Sequence, residues 1–270
     1  FRRVLFRSMF GILLAAQAVQ QYAEHVVFPA EFVKQKFLAK FPIEEEKCHV
    51  MPQGVFSNFN SYSIKEKQNN KKKLCEELGI EPDTRIVLGC GYGNFRKGLD
   101  WFGRIAISEM KRNPKVDFLW LGDREKEFYE WISNDLEVEN LTDRFHWMGY
   151  TENAGYVFGG ADLFLLTSRE DPFPCVVQDA MKQYTPVFAF DSAGGIPEIL
   201  EQGRGVVVPY GDCDACVEKI EQLLEDQKLY EEIAEKAKGY INEETPARYL
   251  RRLLNLLCPG EELFRKLPDL

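Results

Sequence analysis

The sequence predicts an α/β fold with a doubly wound, parallel, six-stranded Rossmann-like sheet. Two observations favour this class. From Thr84 onward, strand-like and helix-like patterns alternate six times along the chain. The strand-like segments are short, nearly continuous apolar runs, which are typical of parallel strands buried on both faces. The strand order expected for such a sheet is 3-2-1-4-5-6.

The six strand-helix units follow one another without a long interruption. Strands are expected at RIVLGC, VDFLWLG, RFHWMG, DLFLLTS, PVFAFD and GVVVPY. The helices that follow them are expected at KGLDWFGRIAISEMKR, REKEFYEWISNDL, TENAGYVFGG, PCVVQDAMKQ, GIPEILEQ and CDACVEKIEQLLED. A helix at KKKLCEELGI, ended by Gly79, precedes the sheet, and two amphipathic helices near residues 227–240 and 246–257 follow it.

The amino-terminal region has a different pattern. Residues 1–8, FRRVLFRS, match a translated sequencing adapter and are excluded from the fold prediction; a secretory signal peptide is the competing interpretation. The apolar run after them is too short to span a bilayer. Helices are expected at residues 9–24 and 30–40 around a short strand, HVVFP, and a connector follows. These pieces cannot close a core, so they are interpreted as the last elements of a domain whose beginning is missing.

Composition limits the classes of function. The chain of 270 residues is 45% apolar and carries a formal net charge of −9, which predicts a globular protein and argues against a nucleic-acid partner. Seven cysteines with irregular spacing are interpreted as reduced thiols of a cytoplasmic protein. Cys213 and Cys216 form a C-x-x-C pair, which alone offers too few ligands for zinc.

The loop after the first strand, GCGYGNFRKG, has the composition of an anion site. Gly91 and Gly93 permit close approach of a ligand to the backbone, and a helix expected to begin near Lys97 directs its amino-terminal end at the same space. With Arg96 and Lys97 adding positive charge, a diphosphate is the expected ligand. The simpler interpretation is a tight turn with two solvated bases. A dinucleotide fingerprint is disfavoured because Asn94 stands where the third glycine belongs.

The loop after the fourth strand, SREDPFPCVVQDAM, places acids around a helix start. Asp171 lies on the turn with Phe173, while Asp179 lies two helical turns later. The amides of Cys175 and Val176 lie in the first turn, where an anion can accept their hydrogen bonds. Because carboxylates accept hydrogen bonds from paired hydroxyls, the pattern suggests a nucleotide sugar. Taken alone, the acids are equally well explained as capping residues and surface charge.

The loop after the fifth strand is AGGIPE. Its two glycines have a simple structural interpretation, since they can turn the chain and permit close helix packing.

An ordered series of segments runs along the chain: RKG, FLWLGD, ADLFLLTSREDPFPCVVQDAM, PVFAF, GGIPE and VVVPYGD. In this series the chain resembles the carboxy-terminal domain of retaining family 4 glycosyltransferases of the GT-B fold. The resemblance implies two Rossmann-like domains around a cleft, an amino-terminal domain for the acceptor and a carboxy-terminal one for the nucleotide-sugar donor. It implies no metal and no cofactor beyond the donor itself.

The resemblance also implies roles for individual residues. Asp171 matches the first acid of the family motif, which is directed at the donor sugar hydroxyls, and is the candidate catalytic residue. Asp179 matches the second acid, which holds the ribose, and Lys97 matches the diphosphate-binding lysine. Tyr150 falls where the backbone meets the nucleobase. Gly91, Arg96, Phe173, Cys175 and Val176 complete the expected substrate-binding set.

Three departures from the family pattern affect these expectations. Both family glutamates are aspartates here, and Tyr92 replaces the usual arginine, which leaves Arg96 as its substitute. The amino-terminal domain is nearly absent, together with its glycine-rich loop and its histidine. His25, His49 and His146 do not follow the expected loop and are interpreted as structural or surface residues.

The expected organisation has three parts after the adapter. Residues 9–50 are expected to be a remnant of the acceptor domain and linker, 51–243 the donor-binding domain, and 244–270 a carboxy-terminal helix and tail. The expected function is retaining transfer of a sugar to a saccharide, lipid-linked or small-molecule acceptor, and the fragment itself is expected to be inactive. Peripheral membrane contact is expected only through the missing domain. The alternative is a non-catalytic nucleotide-sugar-binding module.

Overall fold

The computed structural model describes residues 9–55 and 63–259. Its helices are α1 (Met9–Tyr22), α2 (Glu31–Leu38), α3 (Ile64–Leu78), α4 (Leu99–Arg112), α5 (Lys126–Val138), α6 (Gly155–Gly160), α7 (Cys175–Lys182), α8 (Ile196–Leu200), α9 (Cys213–Glu225), α10 (Gln227–Glu243) and α11 (Pro246–Leu257). Its strands are β1 (Val26–Phe28), β2 (Cys48–Val50), β3 (Arg85–Cys90), β4 (Val116–Leu121), β5 (Phe145–Met148), β6 (Leu163–Leu166), β7 (Val187–Phe190) and β8 (Val206–Val208). The segment interpreted as an adapter and the tail 260–270 lie outside the described residues.

Strands β3 to β8 form one parallel sheet in the order β5-β4-β3-β6-β7-β8. Numbered along the sheet-forming part of the chain, this order is 3-2-1-4-5-6, so the predicted α/β doubly wound fold is confirmed. The order reverses between β3 and β6, where Val87 is in register with Leu163. The carboxyl ends of these two strands therefore flank the switch point of the sheet.

The sheet is buried on both faces, as the apolar runs predicted. Every residue of β4 and of β6 is buried. One face packs against α4, α5 and α9, with Phe102, Phe118 and Trp120 in its core. The other face packs against α3, α6, α7, α8 and α10, with Leu74 and Phe158 among its buried residues. Burial of both faces explains why the strands carry so few polar residues.

A second, smaller sheet precedes the main one. Strands β1 and β2 pair in parallel, with Val26 opposite Cys48 and Phe28 opposite Val50. Helix α2 connects them and packs Phe37 against Phe28, with the two ring centroids 5.5 Å apart. The short strand at HVVFP was predicted, but its pairing with CHV was not, because both segments are only three residues long and the second was interpreted as a connector.

Two helix starts differ from the sequence-based expectation. Helix α4 begins at Leu99 rather than near Lys97, because Gly98 before it adopts a left-handed conformation with φ of 68°. Lys97 therefore belongs to the loop. Helix α3 begins seven residues earlier than KKKLCEELGI suggested, because Ser63 and Glu66 form a capping box at its amino terminus. Its predicted end at Gly79, in the left-handed conformation, is confirmed.

Two further findings concern the chain as a whole. Within residues 9–55 and 63–259, no helix has the length and apolar character needed to cross a membrane. The seven cysteines are free thiols, and Cys213 and Cys216 are buried where α9 packs against the sheet.

Candidate functional site

Three loops meet at the carboxyl edge of the main sheet, after β3, β6 and β7. The amide of Arg169 donates to the carbonyl of Arg96 at 2.8 Å, which joins the first two loops. The amide of Asp171 donates to the carbonyl of Ala193 at 2.8 Å, which joins the second and third. Backbone hydrogen bonds thus hold the three loops together at the switch point, where open α/β sheets bind their ligands.

Lys97 and Asp171 form an ion pair at the centre of this edge. The Lys97 ammonium donates to Asp171 Oδ2 at 2.5 Å, and their side chains are only 13% and 12% exposed. The Ser168 hydroxyl donates to the same oxygen at 3.4 Å, and the Arg96 guanidinium lies 3.6 Å from it. Both loop regions selected from the sequence therefore meet in one cluster of charged groups.

Gly91 makes room for the Lys97 side chain. Its φ of +135° is a conformation that residues with a side chain rarely adopt, and a Cβ at this position would lie 3.1 Å from Lys97 Cε. The Gly91 amide is already engaged, because it donates to the carbonyl of Leu121 at 2.9 Å. The contribution of Gly91 is therefore conformational and steric.

Arg96 is half exposed beside the ion pair. One of its terminal nitrogens donates to the carbonyl of Glu170 at 2.9 Å, so the side chain leans along the loop that follows β6. This contact places its charge next to Asp171.

Arg169 was not identified from the sequence, yet it fastens the first two loops. Its guanidinium lies between the rings of Phe95 and Trp101, 3.8 Å from each centroid. It also donates to both carboxylate oxygens of Asp100 at 2.7 Å. Bidentate pairing and stacking on aromatic rings suit arginine in particular. Its position in the SREDPFP segment was the only available signal.

Helix α7 begins with Cys175 and Val176, four residues after Asp171. Amides in the first turn have no partner within a helix, so this end of α7 can receive an anion. Phe173 is buried just before the helix, whereas Cys175 is exposed. The side-chain amide of Gln178 donates to the carbonyl of Gln53 at 2.8 Å, which ties the amino-terminal segment to this helix.

The charges of Asp179 and Lys97 both affect the pKa of Cys90, the last residue of β3. Burial raises the pKa of the Cys90 thiol to about 12, the positive charge of Lys97 opposes this shift, and the negative charge of Asp179 adds to it. Both charges are therefore within electrostatic range of Cys90, the last residue of β3.

Tyr150 stands apart from this cluster. It follows β5, the edge strand of the sheet, and its side chain is 78% exposed. Three strand spacings, or about 14 Å, separate β5 from β6. A ligand that reached from Tyr150 to Asp171 would have to lie across the ends of four strands.

The three histidines contact groups other than the ion pair. His146 Nε2 is 2.8 Å from Asp117 Oδ2, and His25 Nδ1 is 3.0 Å from His49 Nε2. Within the described residues, no three His, Cys, Asp or Glu side chains cluster as a metal site requires.

Comparison with known proteins identifies the family. The profile of the family described as Glycosyl transferases group 1 matches residues 70–240, which include both loops of the ion pair. The chain is similar to the N-acetyl-alpha-D-glucosaminyl L-malate synthase of Bacillus anthracis, with 29% identity over 64% of this chain and 44% of that protein. It is also similar to the processive diacylglycerol alpha-glucosyltransferase of Acholeplasma laidlawii, with 26% identity over 65% of this chain and 50% of that protein.

Solved structures share the fold at low sequence identity. The Anabaena protein HepE, crystallised in complex with UDP, superposes with a TM-score of 0.77 at 20% identity, over 93% of this chain and 68% of that one. WaaG, a glycosyltransferase of lipopolysaccharide biosynthesis, gives a TM-score of 0.75 at 17% identity, over 94% of this chain and 69% of that one. The chain spans about half the length of the curated relatives it matches. It belongs to the Glycosyl transferases group 1 family and has the fold of a GT-B carboxy-terminal domain.

Proposed function

We propose that the chain forms the donor-binding domain of a retaining glycosyltransferase that moves a hexose-like sugar from a nucleoside diphosphate to an acceptor hydroxyl. The observation that carries this proposal is the Lys97–Asp171 ion pair where the ends of β3 and β6 converge. It combines a cation for phosphate with a carboxylate for sugar hydroxyls in one place.

The diphosphate would bind at the positive side of this cluster. An ammonium has three donors, and among the described residues Lys97 uses one of them, toward Asp171. Arg96 is half exposed beside it, and the first turn of α7 begins four residues after Asp171. During transfer, negative charge grows on the departing diphosphate, and fixed positive groups stabilise that charge.

The sugar hydroxyls would bind at Asp171. Both hydrogen bonds that its carboxylate accepts within residues 9–55 and 63–259 go to Oδ2, so Oδ1 is available to accept hydrogen bonds. Asp179, on α7, would hold the ribose, and the backbone near Tyr150 would meet the base. The donor would then extend from β5 across to β6, along the carboxyl edge of the sheet.

No side chain is assigned as a nucleophile, and the departing phosphate is proposed to guide the acceptor hydroxyl. The acceptor is proposed to be a saccharide, a lipid-linked or a small molecule. The names of two relatives, an L-malate synthase and a diacylglycerol glucosyltransferase, indicate how widely acceptors differ among similar proteins.

Calorimetric titration with UDP tests the donor site on this chain. We expect Lys97→Ala and Asp179→Ala each to weaken UDP binding about tenfold or more, because each removes a charged or hydrogen-bonding contact. Lys126→Ala is the matched control, since that lysine is exposed and pairs only with Glu130 among the described residues. UDP affinity that stays unchanged in Lys97→Ala would refute the site.

A turnover assay distinguishes the proposed enzyme from the alternative function, a non-catalytic nucleotide-sugar-binding module. The alternative draws support from the two shortened acids at positions 171 and 179. The assay is hydrolysis of the sugar donor by the full-length protein. Retained anomeric configuration in the released sugar supports the enzyme, whereas binding without turnover supports the module.

A further inference from the structure

The amino-terminal elements contact the main domain through Glu198. This residue lies in the first turn of α8, directly after the GGIP segment. Its carboxylate accepts the amide of Glu31 at 2.9 Å and the amide of Phe32 at 2.7 Å. These are the first two residues of α2, so one side chain satisfies two unpaired amides and places negative charge at the positive end of the helix.

The loop before Glu198 is packed between α2 and the Asp171 loop. A Cβ on Gly195 would lie 2.2 Å from Ala30 Cβ, at the residue that precedes α2. A Cβ on Gly194 would collide with the carbonyl oxygen of Asp171. Neither glycine has a positive φ, so the backbone conformation does not require glycine at either position. The absence of a side chain is explained by close contacts instead, of Gly195 with Ala30 and of Gly194 with Asp171.

Hydrogen bonds continue from this loop to the proposed donor site. The Gly195 amide donates to the carbonyl of Pro172 at 3.0 Å, and the Asp171 amide donates to the carbonyl of Ala193 at 2.8 Å. Two backbone hydrogen bonds therefore join the Asp171 loop to the β7–α8 loop, and α2 contacts the same region at Gly195 and Glu198.

Helix α2 contacts the main domain through polar and apolar groups together. Ala30 belongs to the buried core of this face, and Val33 on α2 packs against it. A cavity of about 690 Å³ lies beside these contacts and is lined by Phe32, Gln35, Phe173 and Tyr240. The two hydrogen bonds to Glu198 add a polar contact at the first turn of α2.

We propose that Glu198 is a positioning residue that couples the amino-terminal elements to the Asp171 loop. When α2 is docked, the β7–α8 loop holds Asp171 in place; when α2 moves away, that constraint is lost. The predicted effect on sugar binding rests on the proposed function, whereas the mechanical coupling does not. Displacement of the amino-terminal elements would thus change contact with the sugar while the diphosphate contacts persist.

Amide exchange measured by NMR tests the coupling without any ligand. In Glu198→Ala, exchange at Phe32 is expected to accelerate about tenfold or more, as expected for loss of a charge-assisted hydrogen bond, with a parallel increase at Asp171 and Gly195. Glu198→Gln, which can still accept a hydrogen bond, should show a smaller change and carries the test if the alanine variant does not fold. Glu201→Gln, an exposed acid at the end of the same helix, is the control. Faster exchange at Phe32 with no change at Asp171 and Gly195 would overturn the proposal.

Ligand titration then tests the consequence for the site. The ratio of UDP-glucose affinity to UDP affinity is expected to fall about threefold to tenfold in Glu198→Ala, with UDP affinity itself unchanged within about twofold. An unchanged ratio despite loosened α2 would refute the effect on Asp171. If the wild-type chain binds neither ligand, the proposed function fails, and the exchange data alone decide the coupling.

Discussion

Strand β6 has a buried or nearly buried aspartate at each end, and the two differ in how fully they are paired. Asp162 lies directly before the strand and contacts Lys71 and Arg85. Asp171 follows the strand and contacts Lys97 and Arg96. The same three types of charged group thus occur at both edges of the sheet.

At the amino end, both carboxylate oxygens are engaged. Oδ2 of Asp162 accepts from the Lys71 ammonium and, at 2.8 Å, from the amide of Ile86, while Oδ1 accepts from Arg85 at 3.0 Å. Burial alone would raise the pKa of Asp162, but the Lys71 charge and the hydrogen bonds outweigh it and lower the pKa. At the carboxyl end, the Asp171 carboxylate accepts hydrogen bonds from described residues only at Oδ2. A fully satisfied cluster stabilises the fold, whereas a partly satisfied one retains capacity for a ligand.

The largest expected effect comes from breaking the amino-end cluster. Asp162→Asn should lower the free energy of unfolding by about 3 kcal/mol, because it leaves Lys71 and Arg85 without their charge partner. Urea denaturation measures the loss. Asp83→Asn is the control, since its pair with Lys115 is exposed and such pairs contribute about 1 kcal/mol or less. Equal losses in the two variants would contradict the structural role of Asp162.

The pH dependence of the same variant has a defined sign. A carboxyl whose folded pKa lies below its unfolded value stabilises the fold at higher pH and loses that contribution as the pH falls through the folded pKa. The stability difference between wild type and Asp162→Asn should therefore shrink as the pH falls below about 4. A difference that stays constant between pH 7 and pH 3 would exclude this linkage.

A third buried acid, Glu109 on α4, sharpens the comparison. Neither of its oxygens has a hydrogen-bonding partner among the described residues. Burial, reinforced by Glu221, raises its pKa to about 7, while Arg112 and Arg144 act in the opposite direction. Its charged form therefore destabilises the fold above pH 7, and this cost disappears below its unfolded pKa.

Glu109→Gln should accordingly stabilise the protein at pH 8 by about 1–3 kcal/mol. The gain should vanish near pH 4, where the wild-type carboxyl is protonated in both folded and unfolded states. Thermal unfolding of wild type and variant at the two pH values measures it. Glu139→Gln, on a solvent-exposed pair with Lys111, should show no comparable gain. A gain independent of pH would point to packing instead of charge.

The smallest expected effect on stability is at the carboxyl end. Asp171→Asn should cost about 1 kcal/mol, because the Asp171 carboxylate accepts hydrogen bonds at one oxygen only among the described residues, whereas Asp162 uses both oxygens and also holds the buried amide of Ile86. Its preference for UDP-glucose over UDP should nevertheless fall, since the proposed sugar contact needs the carboxylate. Urea denaturation and calorimetry check the two parts. A loss of stability as large as that of Asp162→Asn would remove the distinction between the two ends of β6.

The sequence predicted the main sheet well because each strand is a short apolar run and the strand-helix pattern repeats along the chain. The apolar run RIVLGC corresponds to β3 residue for residue. The strand-order rule for doubly wound sheets then placed the loops after β3 and β6 side by side. It did not predict the ion pair itself, because Lys97 and Asp171 are 74 residues apart and each was assigned to a different part of the donor.

Other features depended on contacts that one sequence does not encode in a recognisable pattern. The pairing of β1 with β2 joins two three-residue strands that have no alternating pattern. Asp162 was identified only as the first residue of a strand, and its partner Lys71 only as the first residue of the helix expected at KKKLCEELGI. Arg169 and Glu198 lay within quoted motifs, but their roles depend on which rings and amides the fold brings beside them.

The clamp of Arg169 between Phe95 and Trp101 has a practical consequence for protein engineering. It joins the loops after β3 and β6 through side chains that come from both. A chimaera intended to alter the proposed donor preference should therefore transplant Phe95, Trp101 and Arg169 together. Grafting either loop by itself would leave the Arg169 guanidinium without its aromatic partners, or leave the Phe95 and Trp101 rings without the guanidinium that stacks between them.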